Sequence, residues 1–195
     1  MNGRILLTLF IITNINNLVL AQETEEIISV ASYIESNELN ASPVDVISAE
    51  EFKNLRVSTV AELSKYLSIA SGSNFQTNAL DGVDQGMANI TLRGMDHAST
   101  LVLINKKRQT QSGTPSDEGE GYVDINIIPE IALNRVEILK DGATSLYGSD
   151  AVAGVINFQT YKQFNGMRLA LGSQKTSNYD QRDNSLGALF GGEAL

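Results

Sequence analysis

The stretch LKDGATSLYGSDAVAGVINFQT, Leu139 to Thr160, concentrates the residue types from which a catalytic or phosphate site could be built. Ser145 and Ser149 would be nucleophiles only with an activating base and a strained turn to expose them. Neither lies in a G-x-S-x-G elbow, and His97, the single histidine, would have to act from a distant loop. A serine hydrolase is therefore not supported. Gly142, Gly148 and Gly154 recur every six residues, which matches neither G-x-G-x-x-G nor G-x-x-x-x-G-K-[ST]. None of the three glycines is followed directly by the Lys-Ser or Lys-Thr pair that would hold a phosphate and its Mg²⁺. The reading left is structural: Gly142 and Gly148 as backbone turns, Ala143 to Tyr147 as a short helix, and GVINFQT as a closing strand.

Other chemistries fall on composition. The chain has no cysteine, which removes disulfides, thiolate zinc sites and cysteine nucleophiles. A lone His97 cannot complete a two-histidine metal site, and the acidic loop SDEGEG lacks EF-hand spacing, so no metal and no cofactor are expected. The net charge of -9, from 23 acidic against 14 basic residues, argues against nucleic acid, whose phosphates need a basic face.

The elements that would carry these residues divide the 195-residue chain into four parts. Residues 1–21 read as an export signal: Arg4, the apolar run Ile5 to Ile12, and small or apolar residues up to Ala21. Residues 22–41 form an acidic arm without lasting periodicity, interrupted by EEIISVAS, Glu25 to Ser32. From Ser42 the pattern is globular, and residues 42–160 read as one domain. SPVDVIS is a strand with Pro43 at its start, and Ser48 to Glu51 and Thr59 to Glu62 each have capping-box form. After the second box, Val60, Leu63, Tyr66 and Leu67 share a helical face that Gly72 would end.

Short β-branched runs follow, Asn89 to Met95, Thr100 to Asn105, Tyr122 to Pro129 and Asn134 to Lys140. They predict an α+β domain, a small mixed sheet covered by short helices. The loops 73–88 and 106–121 are long and polar, which is where a ligand would be met.

With these landmarks in order, residues 42–160 resemble the plug domain of TonB-dependent outer-membrane receptors. The resemblance rests on SPVDVISAEEF, ITLRGM, TLVLINKKR, VDINIIP and ALNRVEILKDGATSLYGSDAVAGVINFQT. It implies a plug held inside a 22-stranded antiparallel transmembrane β-barrel that imports a scarce nutrient, such as a ferric siderophore or cobalamin. The implied partners are the TonB energy-coupling protein, the protein's own barrel, a small nutrient ligand and the outer membrane. Glu26, Ile27, Ile28, Ser29, Val30 and Ala31 would be the TonB box, a β-prone segment able to add a strand to TonB. Positions matching Arg93, Arg135 and Glu137 would lock plug to barrel, against the plainer reading that Arg135 and Glu137 pair with each other at the surface. Asn74, Phe75, Gln76, Gln109 and Thr110 fall in the apical, ligand-facing loops.

Two departures from the family pattern bear on local turns. Asn105-Lys106 stands where Asn-Gly is common, which makes a two-residue type I′ turn less comfortable, and Asp141-Gly142-Ala143 replaces a Gly-Pro pair. Residues 161–195 read as the start of the barrel, with GMRLALGS and NSLGALFGG as its first hairpin. So short a tail cannot close a barrel, and Leu195 is expected to be a truncation point. The alternative is a stand-alone soluble periplasmic binding module.

Overall fold

The computed structural model describes residues 44–55, 57, 59–73, 86–116, 119–140, 143–175 and 182–192. The predicted export signal, the arm with Glu26 to Ala31, the loop residues Asn74, Phe75 and Gln76, and the turn residue Gly142 lie outside the described residues.

The first sheet has five strands: β1 (Val44–Ser48), β2 (Thr100–Ile104), β3 (Lys107–Arg108), β4 (Leu133–Leu139) and β5 (Gly154–Thr160), in the spatial order β1-β4-β5-β2-β3. Only β2 and β5 run parallel, so the sheet is mixed as expected. The predicted closing strand is therefore the central strand in space. Being covered on both faces, it can be apolar almost throughout, and every residue from Gly154 to Gln159 is buried.

On one face Ile156 and Phe158 join Val102, Val136, Ile138 and Ile47. This cluster is capped by Phe52 of helix α1 (Ala49–Leu55) and by Val60 and Leu63 of a 3₁₀ helix, Val60–Tyr66. On the other face Val155, Leu101, Leu103 and Leu139 meet Ala143, Tyr147 and Ala151, from helix α2 (Thr144–Tyr147) and the turns around it. The glycine-rich stretch is thus a cover for the sheet. Gly148 sits at φ 86°, ψ −166°, a region open essentially to glycine alone. Gly154 is at φ 138°, and a Cβ there would lie 2.6 Å from the Leu139 carbonyl oxygen and 2.8 Å from Leu92 Cδ1.

The two predicted capping boxes part company. Ser48 Oγ accepts the Glu51 N–H at 3.2 Å and starts α1, with Glu50 and Glu51 in the favourable first turn. Thr59 makes no side-chain cap, and the element after it is 3₁₀ rather than α. The tighter winding buries Val60, Ala61, Leu63 and Ser64 and leaves Tyr66 54% exposed, so Tyr66 does not belong to the core face. Nor does Gly72 end this helix, which already stops at Leu67 in extended backbone; Gly72 takes φ 81° in the following loop.

Two predicted strands are not strands. Asn89 to Met95 is buried through Leu92 but irregular, because its amides find partners outside any ladder. Thr91 N–H donates to Ser73 Oγ at 2.8 Å, Leu92 N–H to Thr100 Oγ1 at 3.0 Å, and Arg93 N–H to the Ile69 carbonyl at 2.8 Å. In Tyr122 to Pro129, Asp124 Oδ1 accepts the Asn126 N–H at 3.0 Å and caps a 3₁₀ turn, Ile125–Ile127, that buries Ile125 and exposes Ile127. A local cap has overridden β-branched composition.

A second sheet is the hairpin of β6 (Gly166–Lys175) and β7 (Arg182–Gly191). Its register pairs Met167 with Phe190, Leu169 with Ala188 and Leu171 with Leu186, which sets these six on one face. That face is bare: Leu171 is 84% and Leu186 78% exposed. The opposite face pairs Arg168 with Leu189, Ala170 with Gly187 and Gly172 with Ser185. It is turned to the first sheet's domain, for a Cβ on Gly187 would come within 3.2 Å of Ile131 Cδ1.

Candidate functional site

The predicted lock residues occupy β4 and the loop before β2. Residues on alternate positions of a strand share a face, so Arg135 and Glu137 lie together, and the register sets Glu137 opposite Asn157 and Arg135 opposite Gln159 on β5. The result is a polar cluster inside the sheet. Arg135 Nη2 donates to Glu137 Oε1 at 2.9 Å, Gln159 Nε2 to the same oxygen at 2.8 Å, and Asn157 Nδ2 to Oε2 at 3.0 Å. Glu137 and Asn157 are wholly buried and Gln159 nearly so.

The pair Arg135–Glu137 therefore forms, but inside the sheet, not at the surface. A buried carboxylate is costly unless its lone pairs are met, and here three donors converge on it. Arg93 stands apart from this arrangement in its own bonding. It is exposed, takes φ 59°, and its Nη2 donates to the Lys140 carbonyl just beyond β4. Asn157 and Gln159 were not singled out from the sequence. Part of their signal was present in GVINFQT, where two amides alternate with Ile156 and Phe158 and so share one strand face; that it is the face of Arg135 and Glu137 follows from the register.

A turn is built onto the same cluster. Between β2 and β3, Asn105 and Lys106 adopt φ 51° and 67°, the positive values a type I′ turn requires, so the two-residue hairpin forms without glycine. The cost of left-handed backbone at Lys106 is met by bonds to β5. Lys106 N–H donates to Asn157 Oδ1 at 3.0 Å, Asn105 N–H to the Phe158 carbonyl at 2.9 Å, and Thr160 N–H to Asn105 Oδ1 at 3.0 Å. Beyond the turn, Arg108 Nη1 pairs with Asp150 at 2.5 Å and its other nitrogen donates to the Tyr147 carbonyl. The Arg108 hydrogen bond to Asp150, with a second from the Ser149 hydroxyl, holds the Asp150 carboxyl below its usual range. Gln109 and Thr110 follow on the loop; Gln109 Nε2 donates to the Lys107 carbonyl at 2.9 Å.

His97 is half-buried, with Nδ1 2.5 Å from Asn89 Nδ2 and 3.2 Å from Thr91 Oγ1, while its backbone N–H donates to Glu120 Oε2 at 3.1 Å. It ties two loops together. Ser145 and Ser149 flank Tyr147 in the cover over β5. Among the described residues there is no group of three His, Asp or Glu side chains placed to hold a metal, and no helix long and apolar enough to cross a membrane.

Comparison with known proteins bears on this architecture directly. The family model for the TonB-dependent receptor plug domain matches residues 37–155. This chain belongs to that family. Over 145 residues the chain is 31% identical to the iron-regulated outer membrane virulence protein of Vibrio cholerae, covering 73% of this chain and 21% of that protein. The vitamin B12 transporter BtuB of Vibrio vulnificus is 29% identical over 142 residues, covering 66% and 22%. Among solved structures, the siderophore receptor PirA from Acinetobacter baumannii superposes with a TM-score of 0.54 at 28% identity, over 74% of this chain and 21% of that one. The chain spans about a fifth of the length of the curated relatives it matches.

The mixed sheet is thus a plug fold, and the described residues contain no closed barrel. In the plug, the glycine-rich segment forms the cover and the middle strand of the sheet, and the polar cluster of Glu137 sits at its centre.

Proposed function

We propose that the chain supplies the plug and the first wall hairpin of a TonB-dependent importer in the outer membrane. One observation carries this reading furthest: immediately after the plug's last strand comes a hairpin of two ten-residue strands with opposite faces. Its small and polar face is turned to the plug through Gly187 and Ile131, and its apolar face is bare. Ten residues is the length of a strand tilted across a bilayer, and lipid outside with plug inside is the environment each face matches.

In this reading residues 1–21 direct export, the arm of residues 22–41 reaches the periplasm, and Glu26 to Ala31 adds a strand to TonB. Nutrient is met by the loops holding Asn74 to Gln76 and Gln109-Thr110. Arg93, exposed beside the end of β4, holds the closed plug to the wall, and the Arg135–Glu137 pair, bonded within the sheet, braces the strand behind it. The relatives' names speak of siderophores, vitamin B12 and iron, so a scarce chelate or cofactor is the ligand class proposed. The role is uptake rather than catalysis.

The test is binding of a peptide covering residues 22–41 to the periplasmic C-terminal domain of TonB by calorimetry. Saturable binding that disappears when Glu26 to Ala31 are scrambled supports the coupling. Equal binding of the scrambled peptide, or none by either, refutes it.

A further inference from the structure

The plug holds a fixed connection between the turn that opens the Gln109-Thr110 loop and the buried Glu137 carboxylate, and it runs through one side chain. Asn157 is wholly buried on the central strand. Its two ends do different work: Oδ1 accepts the Lys106 N–H at 3.0 Å, and Nδ2 donates to Glu137 Oε2 at 3.0 Å. An amide has one acceptor end and one donor end, so only this orientation satisfies both neighbours. Turned by 180°, it would set its NH₂ against the Lys106 N–H and its oxygen against the carboxylate.

We propose that Asn157 is a positioning residue that couples the 105–106 turn to Glu137. Deepening the transport reading and resting on it for its biological sense, this gives the ligand-side loop and the lock a shared switch. The turn is a suitable end for such a device. Lys106 holds a left-handed backbone uncommon for its residue type, and the bond to Asn157 helps to keep it there. The other end is equally demanding. Glu137 offers two oxygens to three donors, Asn157, Gln159 and Arg135. Coupling of this kind is reciprocal: releasing the turn frees the amide that holds Glu137, and disturbing Glu137 turns the amide away from Lys106.

The decisive variant is Glu137→Gln, which replaces one acceptor oxygen by a donor NH₂ without changing shape. Three donors then compete for one oxygen, and the Asn157 amide meets the new NH₂ best by flipping its own oxygen towards it. Amide hydrogen exchange is read on the intact chain at Lys106, with Val102 and Ile156 as reporters of the sheet. The expected result is exchange at Lys106 faster by about tenfold or more, for a residue that Glu137 reaches through Asn157, with Val102 and Ile156 still protected; tenfold corresponds to about 1.4 kcal/mol. Unchanged exchange at Lys106 overturns the proposal.

Should the whole sheet lose protection in that variant, the turn end decides: Asn105→Ala removes the acceptor of the Thr160 N–H and loosens the turn, and exchange of the Asn157 side-chain NH₂ that donates to Glu137 is expected to quicken with Val102 and Ile156 still protected. Unchanged exchange of that NH₂ overturns the proposal. None of these measurements depends on TonB, so a positive result with a failed TonB-binding test would leave the coupling standing and the transport reading refuted.

Discussion

Strands β5 and β6 are separated by five residues and have opposite relations to their surroundings. β5 is buried on both faces within its own domain, apolar on one side and partly amide on the other. β6 and its partner β7 meet the plug on one face at Gly187, beside Ile131, and leave Met167, Leu169, Leu171, Leu186 and Phe190 bare on the other. The difference separates a core that is complete from a surface that is half of an interface. Alternation of large apolar side chains with small or polar ones over ten residues makes sense when two unlike media meet the two faces.

The comparison breaks most easily at the centre of the plug. Phe158→Ala removes the largest fully buried side chain of the sheet and should cost about 4 kcal/mol, read as a lowered urea midpoint. Gly154→Ala should cost about 3 kcal/mol, since the new methyl meets the Leu139 carbonyl and Leu92 at a backbone angle that L-residues avoid; an unchanged midpoint would contradict the close approach.

In the hairpin the effect should depend on the medium. Leu171→Arg places a charge at the middle of the bare face, expected to cost about 3 kcal/mol of membrane insertion and next to nothing in the urea stability of the plug. Vesicle flotation and urea titration of the same variant separate the two. The smallest effect lies at Glu130, whose carboxyl is pushed above its usual range by burial and then by Glu62. Protonation is favoured by the folded state, so the penalty is full above the raised pKa and is relieved as pH falls towards the ordinary carboxylate value. Glu130→Gln should therefore raise stability slightly at neutral pH and flatten this part of the pH profile.

Those residues also mark what could be read from the sequence. β2, β4, β5 and both hairpin strands were legible because β-branched or alternating runs of usable length specify extended chain almost locally. Asn89 to Met95 and Tyr122 to Pro129 carry the same composition, but side-chain acceptors such as Ser73, Thr100 and Asp124 take their amides first. For Ser73 and Thr100 the reach to the amide is set by the tertiary fold and not by spacing, whereas the Asp124 cap of Asn126 is local, two residues away. Arg135 and Glu137 were legible as a pair on one strand face. Their burial and their bonds to Asn157 and Gln159 depended on the strand order β1-β4-β5-β2-β3, which sets β5 in the middle of the sheet. The Asn105-Lys106 turn forms against local preference because β5 supplies the bonds that hold it.

The chain contains no tryptophan, which allows the membrane assignment of the hairpin to be tested one residue at a time. With single tryptophans at Leu169, Ala170 or Leu171, and the protein reconstituted in vesicles of brominated phospholipid, fluorescence quenching reports contact with acyl chains. Strong quenching is expected at positions 169 and 171 and little at 170, which lies on the other face, opposite Gly187. Equal quenching at all three positions, or none at 169 and 171, would contradict a wall with lipid on one side and plug on the other.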